Sequence, residues 1–309
     1  MTFREMLRVS FKSDDTEEWL DVHFTRPIGL VFALGWMKLG VHPNVVTILS
    51  IFLGVAAGYM FYFTDLQHNL LGVLLLMLAN FCDSTDGQMA RLTGKKTLIG
   101  RMLDGFSGDL WFFAIYLALI FRIGRMWEPA LGTLLSYSLS FLLCFIASIF
   151  CHSPQSSLAD YYRQIHLYFL LGREGSELDS YAAQRQVYER LPKRQWLQRI
   201  FYYNYANYCK SQEKRTPKFQ KMMEVVKERY GSVENMPQEL KEQFIKGSRP
   251  LMKYTNILTF NVRAITLYVT CLLNCPWVYF LVEIIILSII YIYMHKKHES
   301  LCAEITNQI

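Results

Sequence analysis

The chain has 309 residues, 52% hydrophobic and 15% aromatic but only 19% charged, with a formal net charge of +6; soluble domains are usually about 25% charged. Half of its 32 basic and 26 acidic residues lie between His152 and Lys253, so the rest of the chain is too apolar for a water-facing surface. Disordered, collagenous and coiled-coil classes are excluded, and the seven cysteines show neither a disulfide framework nor paired zinc-ligand spacing.

Read in chain order, residues 1–43 form a polar N-terminal segment containing an apolar stretch, Pro27 to Met37, that is too short to span a bilayer. It suits an interfacial helix with Trp36 near the headgroups. No short apolar run with a small-residue cleavage site precedes it, so the first span is expected to direct insertion. Residues 44–151 hold four predicted spans, because a bilayer core needs roughly 20 apolar residues per helix. Val45–Phe63 and Ala130–Phe150 are uncharged runs of sufficient length; Leu70–Cys82 and Leu110–Phe121 are shorter and reach it only if their helices continue through the acidic segment Asp83–Asp109. Residues 152–253 read as a helical, polar insertion, with Phe219, Met222, Met223 and Val226 at helical spacing. Residues 254–295 hold two further spans, Ile257–Cys275 with Arg263 and Pro276–Met294 with Glu283, and residues 296–309 form a tail. The fold predicted is all-α and polytopic, with six transmembrane helices, an N-terminal interfacial helix and a helical cytoplasmic insertion.

Basic residues set the orientation, since short loops rich in Lys and Arg stay cytoplasmic. With both termini inside, the inner segments carry 5, 4, 18 and 2 Lys or Arg, whereas the outer loops carry only Arg122 and Arg125. The expected protein is therefore integral and multi-pass, with its termini and its acidic segment on the cytoplasmic side. The insertion has 18 basic and 11 acidic residues; the interleaved acids and the lack of a nucleic-acid motif point to membrane lipids, not nucleic acid, as its surroundings.

The acidic segment carries the chemistry. On one helix Asp83, Asp86, Gly87, Ala90 and Arg91 fall at i, i+3, i+4, i+7 and i+8 and share a face. On the next, Gly100, Asp104 and Gly108 are spaced by four. Facing each other, the helices would gather three carboxylates at the inner membrane boundary. Such carboxylates repel one another and are costly at membrane depth, so they call for cations. Hard oxygen ligands suit Mg²⁺ or Mn²⁺, which attract phosphate oxygens. Gly87 and Ala90 leave room for a bulky ligand, and Arg91 offers paired donors to phosphate. Structural ion pairs with Arg91, Lys95, Lys96 and Arg101 would also satisfy the acids, but would not require the small residues.

The pattern Asp-x2-Asp-Gly-x2-Ala-Arg-x8-Gly-x3-Asp, here Asp83, Asp86, Gly87, Ala90, Arg91, Gly100 and Asp104, closely resembles the signature of the CDP-alcohol phosphotransferases. His42-Pro43-Asn44-Val45-Val46-Thr47 resembles the opening of that family's first span. The resemblance implies a membrane enzyme that transfers a substituted phosphate from a CDP-linked alcohol to a second alcohol and releases CMP, one substrate being a lipid. It implies two divalent ions on Asp83, Asp86 and Asp104, with Gly87, Ala90 and Arg91 bordering the cytidine diphosphate. Asn44 either contacts the nucleotide or caps its helix. A homodimer is compatible with the family. The commonest donor there is CDP-diacylglycerol, with inositol phosphate, glycerol phosphate or serine as acceptor; transfer of a CDP-linked head group to a lipid alcohol is the alternative. A non-catalytic scaffold or transporter on the same helices is the other class; a transporter would show polar residues along several spans, whereas the first and fourth spans here have only scattered Ser and Thr.

One position departs from the family pattern. Its fourth aspartate, which binds metal and deprotonates the attacking hydroxyl, would fall at Gly108; the carboxylate here is Asp109. On a regular helix Asp109 lies about 140° from Asp104. A π-bulge returning Asp109 to the site, a different base, or loss of activity would each account for the shift. In the last two spans Arg263 and Glu283 could pair at similar depth, or Arg263 could hold an anionic group of the acceptor.

Overall fold

The structure, a computed structural model, describes residues 2–10, 13, 15–94 and 98–309. Every regular element among them is helical: α1 (Phe3–Ser10), α2 (Arg26–Lys38), α3 (Pro43–Phe61), α4 (Leu66–Thr93), α5 (Leu98–Leu131), α6 (Thr133–Phe145), α7 (Ser153–Leu171), α8 (Tyr181–Arg190), α9 (Trp196–Arg215), α10 (Pro217–Tyr230), α11 (Gln238–Ser248), α12 (Met252–Ile257), α13 (Phe260–Leu272), α14 (Trp277–Leu281) and α15 (Ser288–Gln308). Longer π-helical turns occupy Asp21–Thr25, Ile146–His152 and Val282–Leu287. Two compact units result: Met1–Ser153 with Phe260–Leu287, and Pro154–Thr259 with Ser288–Ile309.

Among the described residues, five helical segments are long and apolar enough to cross a membrane: Pro43–Phe61, Leu66–Thr93, Met102–Leu131, Thr133–Leu171 and Trp277–Gln308. The two short apolar runs do extend through the acidic segment, as α4 and α5. Large apolar side chains stand exposed along the candidate spans, among them Phe52, Phe113, Leu134 and Phe150. That surface suits lipid and would be costly in water. The predicted span over 257–275 is a different matter. Its helix, α13, has 13 residues, about 20 Å at 1.5 Å per residue, short of the roughly 30 Å hydrocarbon core. The expected count of six spans is therefore not reproduced.

The first unit owes its close packing to small residues. A Cβ at Gly54 would stand 2.1 Å from Trp111 Cδ1, and one at Gly58 2.8 Å from the Ala114 backbone carbon, so α3 and α5 approach as only glycine allows. Gly58→Val is expected to cost about 1–3 kcal/mol through overpacking. The check is a lowered unfolding midpoint in detergent, with Gly35→Ala, whose added Cβ meets nothing within 4 Å, as the unaffected control.

Arg122 corrects the expected outer loop. Helix α5 runs on to Leu131, and Arg122 is fully buried within it. Its guanidinium donates to Phe61 O (3.0 Å), Asn69 Oδ1 (2.7 Å), Cys271 O (3.0 Å) and Asn274 Oδ1 (2.9 Å), tying α3, α4 and α13 to α5. A buried cation is tolerated there because most of its donors are paired.

Helix α2 lies against the acidic part of α4. Gly29, Leu30 and Ala33 are buried, Thr85 Oγ1 donates to Gly29 O (3.2 Å), and Gln88 Nε2 donates to Arg26 O (3.1 Å). Its opposite side leaves Val31 and Phe32 exposed.

In the second unit the sequence periodicity is realised in α10, where Phe219, Met222 and Val226 are buried. They join Tyr162 and Phe169 of α7, Phe244 of α11 and Met294 and Ile305 of α15 in the interior. Phe169 and Phe244 stack with ring centroids 4.0 Å apart.

Candidate active site

Helix α4 delivers the first two acids. Asp65 caps it, accepting from His68 N at 3.0 Å, and Gly94 ends it with a left-handed φ of 68°. Between these ends the helix carries Asp83 and Asp86 on the face that meets α5. Helix α5 brings Asp104. One carboxylate oxygen from each of Asp83, Asp86 and Asp104 lies within 4.8 Å of the others. The sequence reading of three converging carboxylates is thus what the helices form.

Their immediate partners are hydroxyls. Ser107 Oγ is 2.8 Å from Asp83 Oδ1 and 2.8 Å from Asp104 O, so it clasps α4 to α5 beneath the cluster. Thr47 of α3 lies beside the Asp86 carboxylate. Asp86 is buried, and its Oδ2 has no hydrogen-bond partner among the described residues. Asp104 is exposed. Three like charges with an orphaned buried oxygen fit hard divalent cations, whose ligands are oxygens.

Helix packing does not require the small residues of this segment. The atoms nearest a Cβ at Gly87 would be those of the Arg91 guanidinium, its nitrogens at 3.5 Å, and one at Gly105 or Gly108 would meet nothing within 4 Å. No neighbouring helix requires glycine at these positions. Ala90 and Arg91 follow on the same side of α4, one turn on. Lys95 and Lys96, weighed above as ion-pair partners, lie outside the described residues, as does the side chain of Arg101.

Of the three accounts of the Asp109 shift, the π-bulge is not formed. Helix α5 is regular through this region, and Asp109 is exposed and stands outside the three-carboxylate cluster. The cause is helical phase: without an inserted residue its side chain stays about 140° from that of Asp104. It faces instead the side of α5 that bears Phe112 and Tyr116, where it interacts electrostatically with His152. The π-helical turns occur elsewhere, at Ile146–His152 and Val282–Leu287, and they carry His152 and Glu283.

At the start of α3 the cap is His42, whose Nδ1 accepts from Asn44 N at 3.2 Å. The capping role weighed for Asn44 thus belongs to its neighbour, and the Asn44 side chain is half-buried at the mouth of α3.

Arg263 is not set out as an open anion receptor. It is 1% exposed, bonds to Glu283, and has His152 Nδ1 3.2 Å from Nη1. Glu283 also accepts from Tyr116 Oη (2.6 Å) and Tyr279 Oη (2.7 Å) and lies 3.0 Å from His152 Nδ1. The buried pair is the arrangement formed. Tyr116, His152 and Tyr279 gave no signal in the sequence, since they meet Glu283 through tertiary packing. Ser107 carried a faint one, standing one turn after Asp104.

Residues 40–165 match the family model for CDP-alcohol phosphatidyltransferase. Over that segment the chain resembles the CDP-alcohol phosphatidyltransferases. Over 108 residues, 35% of this chain, the protein is 34% identical to an archaetidylinositol phosphate synthase of Pyrococcus horikoshii, and over 82 residues, 25% of the chain, it is 38% identical to an uncharacterized protein of Aquifex aeolicus. The chain spans 56% and 40% of the length of these relatives. The CDP-alcohol phosphatidyltransferase match covers both acidic stretches of α4 and α5 together with Asn44, Asp109 and His152.

Proposed function

We propose that the protein is a membrane phosphotransferase of phospholipid synthesis, moving phosphatidyl from CDP-diacylglycerol to a polar alcohol, with release of CMP. The convergence of Asp83, Asp86 and Asp104 inside the family domain carries this reading. Among acceptors, the name of the Pyrococcus relative favours inositol phosphate, with glycerol phosphate next. The distribution of Lys and Arg supports a cytoplasmic site and cytoplasmic termini.

Asp83, Asp86 and Asp104 would hold two Mg²⁺ or Mn²⁺ ions, which supply charge neutralisation of the diphosphate when bound. Gly87 and Ala90 leave the α4 face low enough for cytidine diphosphate to lie against it. Arg91 presents two parallel donors to phosphate oxygens, and Asn44 borders the nucleotide end. On α5, Gly108 and Gly105 lie about 40° and 100° round the helix from Asp104, and Asp109 about 140°. A strip of open glycine surface therefore separates Asp104 from Asp109. An acceptor hydroxyl over this strip has the donor phosphorus on one side and the Asp109 carboxylate on the other. Asp109 takes the hydroxyl proton as the oxygen bonds to phosphorus, and the bond from that phosphorus to the bridging oxygen breaks, leaving with CMP.

Asp109→Asn is expected to lower kcat by about 10²–10⁴-fold, and Gly108→Asp added to it should return much of the rate by supplying a carboxylate one turn from Asp104. A wild-type rate in Asp109→Asn would remove Asp109 from the reaction. Donor and acceptor are settled by incubating the purified protein with CDP-diacylglycerol and a panel of acceptors, or with CDP-choline and diacylglycerol, and weighing the lipid formed. Product from the second pair alone would reverse the direction assigned here.

A further inference from the structure

Helix α15 carries His298, Glu299 and Cys302 into the interior of the second unit. His298 and Cys302 are fully enclosed, and Glu299 is 6% exposed. One candidate ligand atom from each lies within 4.8 Å of the other two. Glu299 Oε2 accepts from Lys218 N at 2.8 Å, at the start of α10, where the Phe219 amide also faces the carboxylate, whereas Glu299 Oε1 and His298 Nε2 are buried with no hydrogen-bond partner among the described residues. The imidazole is clamped by aromatic rings: Tyr162 stacks on it at 3.9 Å, and Phe244 meets it edge-on at 6.0 Å.

A buried polar atom left unpaired is destabilising, and the one that a ligand beside the thiol would answer is Glu299 Oε1; the imidazole nitrogen turned to the thiol is Nδ1, so Nε2 stays outside the site. Cys302 Sγ is 3.6 Å from His298 Nδ1. Bonds of about 2.3 Å to sulfur and 2.0–2.1 Å to nitrogen around one tetrahedral centre would place the two ligands about 3.6 Å apart. A thiol-to-imidazole hydrogen bond accounts for that contact as well, but it leaves the carboxylate oxygen unanswered. Mixed nitrogen, sulfur and oxygen donors suit Zn²⁺, whereas Mg²⁺ and Ca²⁺ prefer oxygen alone. We propose that His298, Glu299 and Cys302 form a Zn²⁺ site on α15, beside the start of α10. Cysteine spacing conceals it, because it takes one ligand of each type from within five residues of a single helix.

The test is metal analysis of the full-length protein purified in detergent without chelators. About one zinc per chain is expected, retained in Asp83→Asn and lost in both His298→Gln and Cys302→Ser. Replacing the zinc by Co²⁺ should produce the thiolate-to-cobalt charge-transfer absorption. That band should survive in Cys82→Ser, the cysteine beside the acidic cluster, and vanish in Cys302→Ser. The wild-type spectrum decides the matter even if a variant fails to fold. Zinc at background together with no charge-transfer band in the wild type, or a band indifferent to Cys302→Ser, would overturn the site.

Discussion

Replacing any one of Asp83, Asp86 and Asp104 by Asn is expected to lower CMP release by at least about 10²–10³-fold, the usual loss when one preorganised electrostatic contact to a transition state is removed. Asn keeps the shape and deletes the charge, so the helices should remain folded. The stability effect should have the opposite sign. Within 4.8 Å of one another, the three carboxylates repel, and relief of that repulsion offsets the hydrogen bond lost from Ser107 in Asp83→Asn. In EDTA the Asn variants should therefore melt at or above the wild-type temperature. Added Mg²⁺ or Mn²⁺ should raise the wild-type midpoint and leave the variants unmoved, because only a protein that binds the ion gains from it. Paired melting curves with and without metal check this; equal metal-induced shifts in wild type and variants would place the ion elsewhere.

The second large effect is on folding. Arg263→Leu would leave Glu283 charged and buried, with two tyrosine hydroxyls and His152 around it. Removing one partner of a buried pair typically costs about 3–5 kcal/mol. Glu283→Leu should cost a similar amount by stranding Arg263. The double variant Arg263→Leu, Glu283→Leu should recover most of the loss, since a well-packed apolar pair can replace a buried ion pair. Denaturation of the detergent-solubilised proteins measures it. A near-silent Arg263→Leu in stability, with a selective rise in the acceptor KM, would instead put the guanidinium in the acceptor pocket, the other role its position in the sequence suggested.

What could be read in advance follows from the range of each signal. The convergence of Asp83, Asp86 and Asp104 was legible because i, i+3, i+4 spacing fixes a helical face, and because two such faces joined by a short loop meet. The continuation of the apolar runs into α4 and α5 followed from length alone. Spacing says nothing of groups far apart in the chain. Arg122 looked like a loop residue, yet it finds carbonyls from Phe61 and Cys271, neither of them near in sequence. A π-turn at Asp109 is one of three ways to account for the displaced acid, but the turns occur at Ile146–His152 and Val282–Leu287 and serve a buried pair. Helix α13 is shorter than its apolar run: it begins only at Phe260, after a break at Leu258 and Thr259, and ends before the positive-φ turn at Asn274. His298, Glu299 and Cys302 escaped because only the surrounding aromatic interior distinguishes them from an ordinary polar helix end.

The most direct measurement is CMP release by the purified protein from CDP-diacylglycerol and inositol phosphate, with Mg²⁺ or Mn²⁺ and with EDTA, alongside Asp83→Asn. Metal-dependent release that EDTA and Asp83→Asn both abolish is the result predicted. Absence of CMP release with any lipid or head-group donor, or release indifferent to metal and to Asp83, would contradict the assignment of these three carboxylates to phosphotransfer.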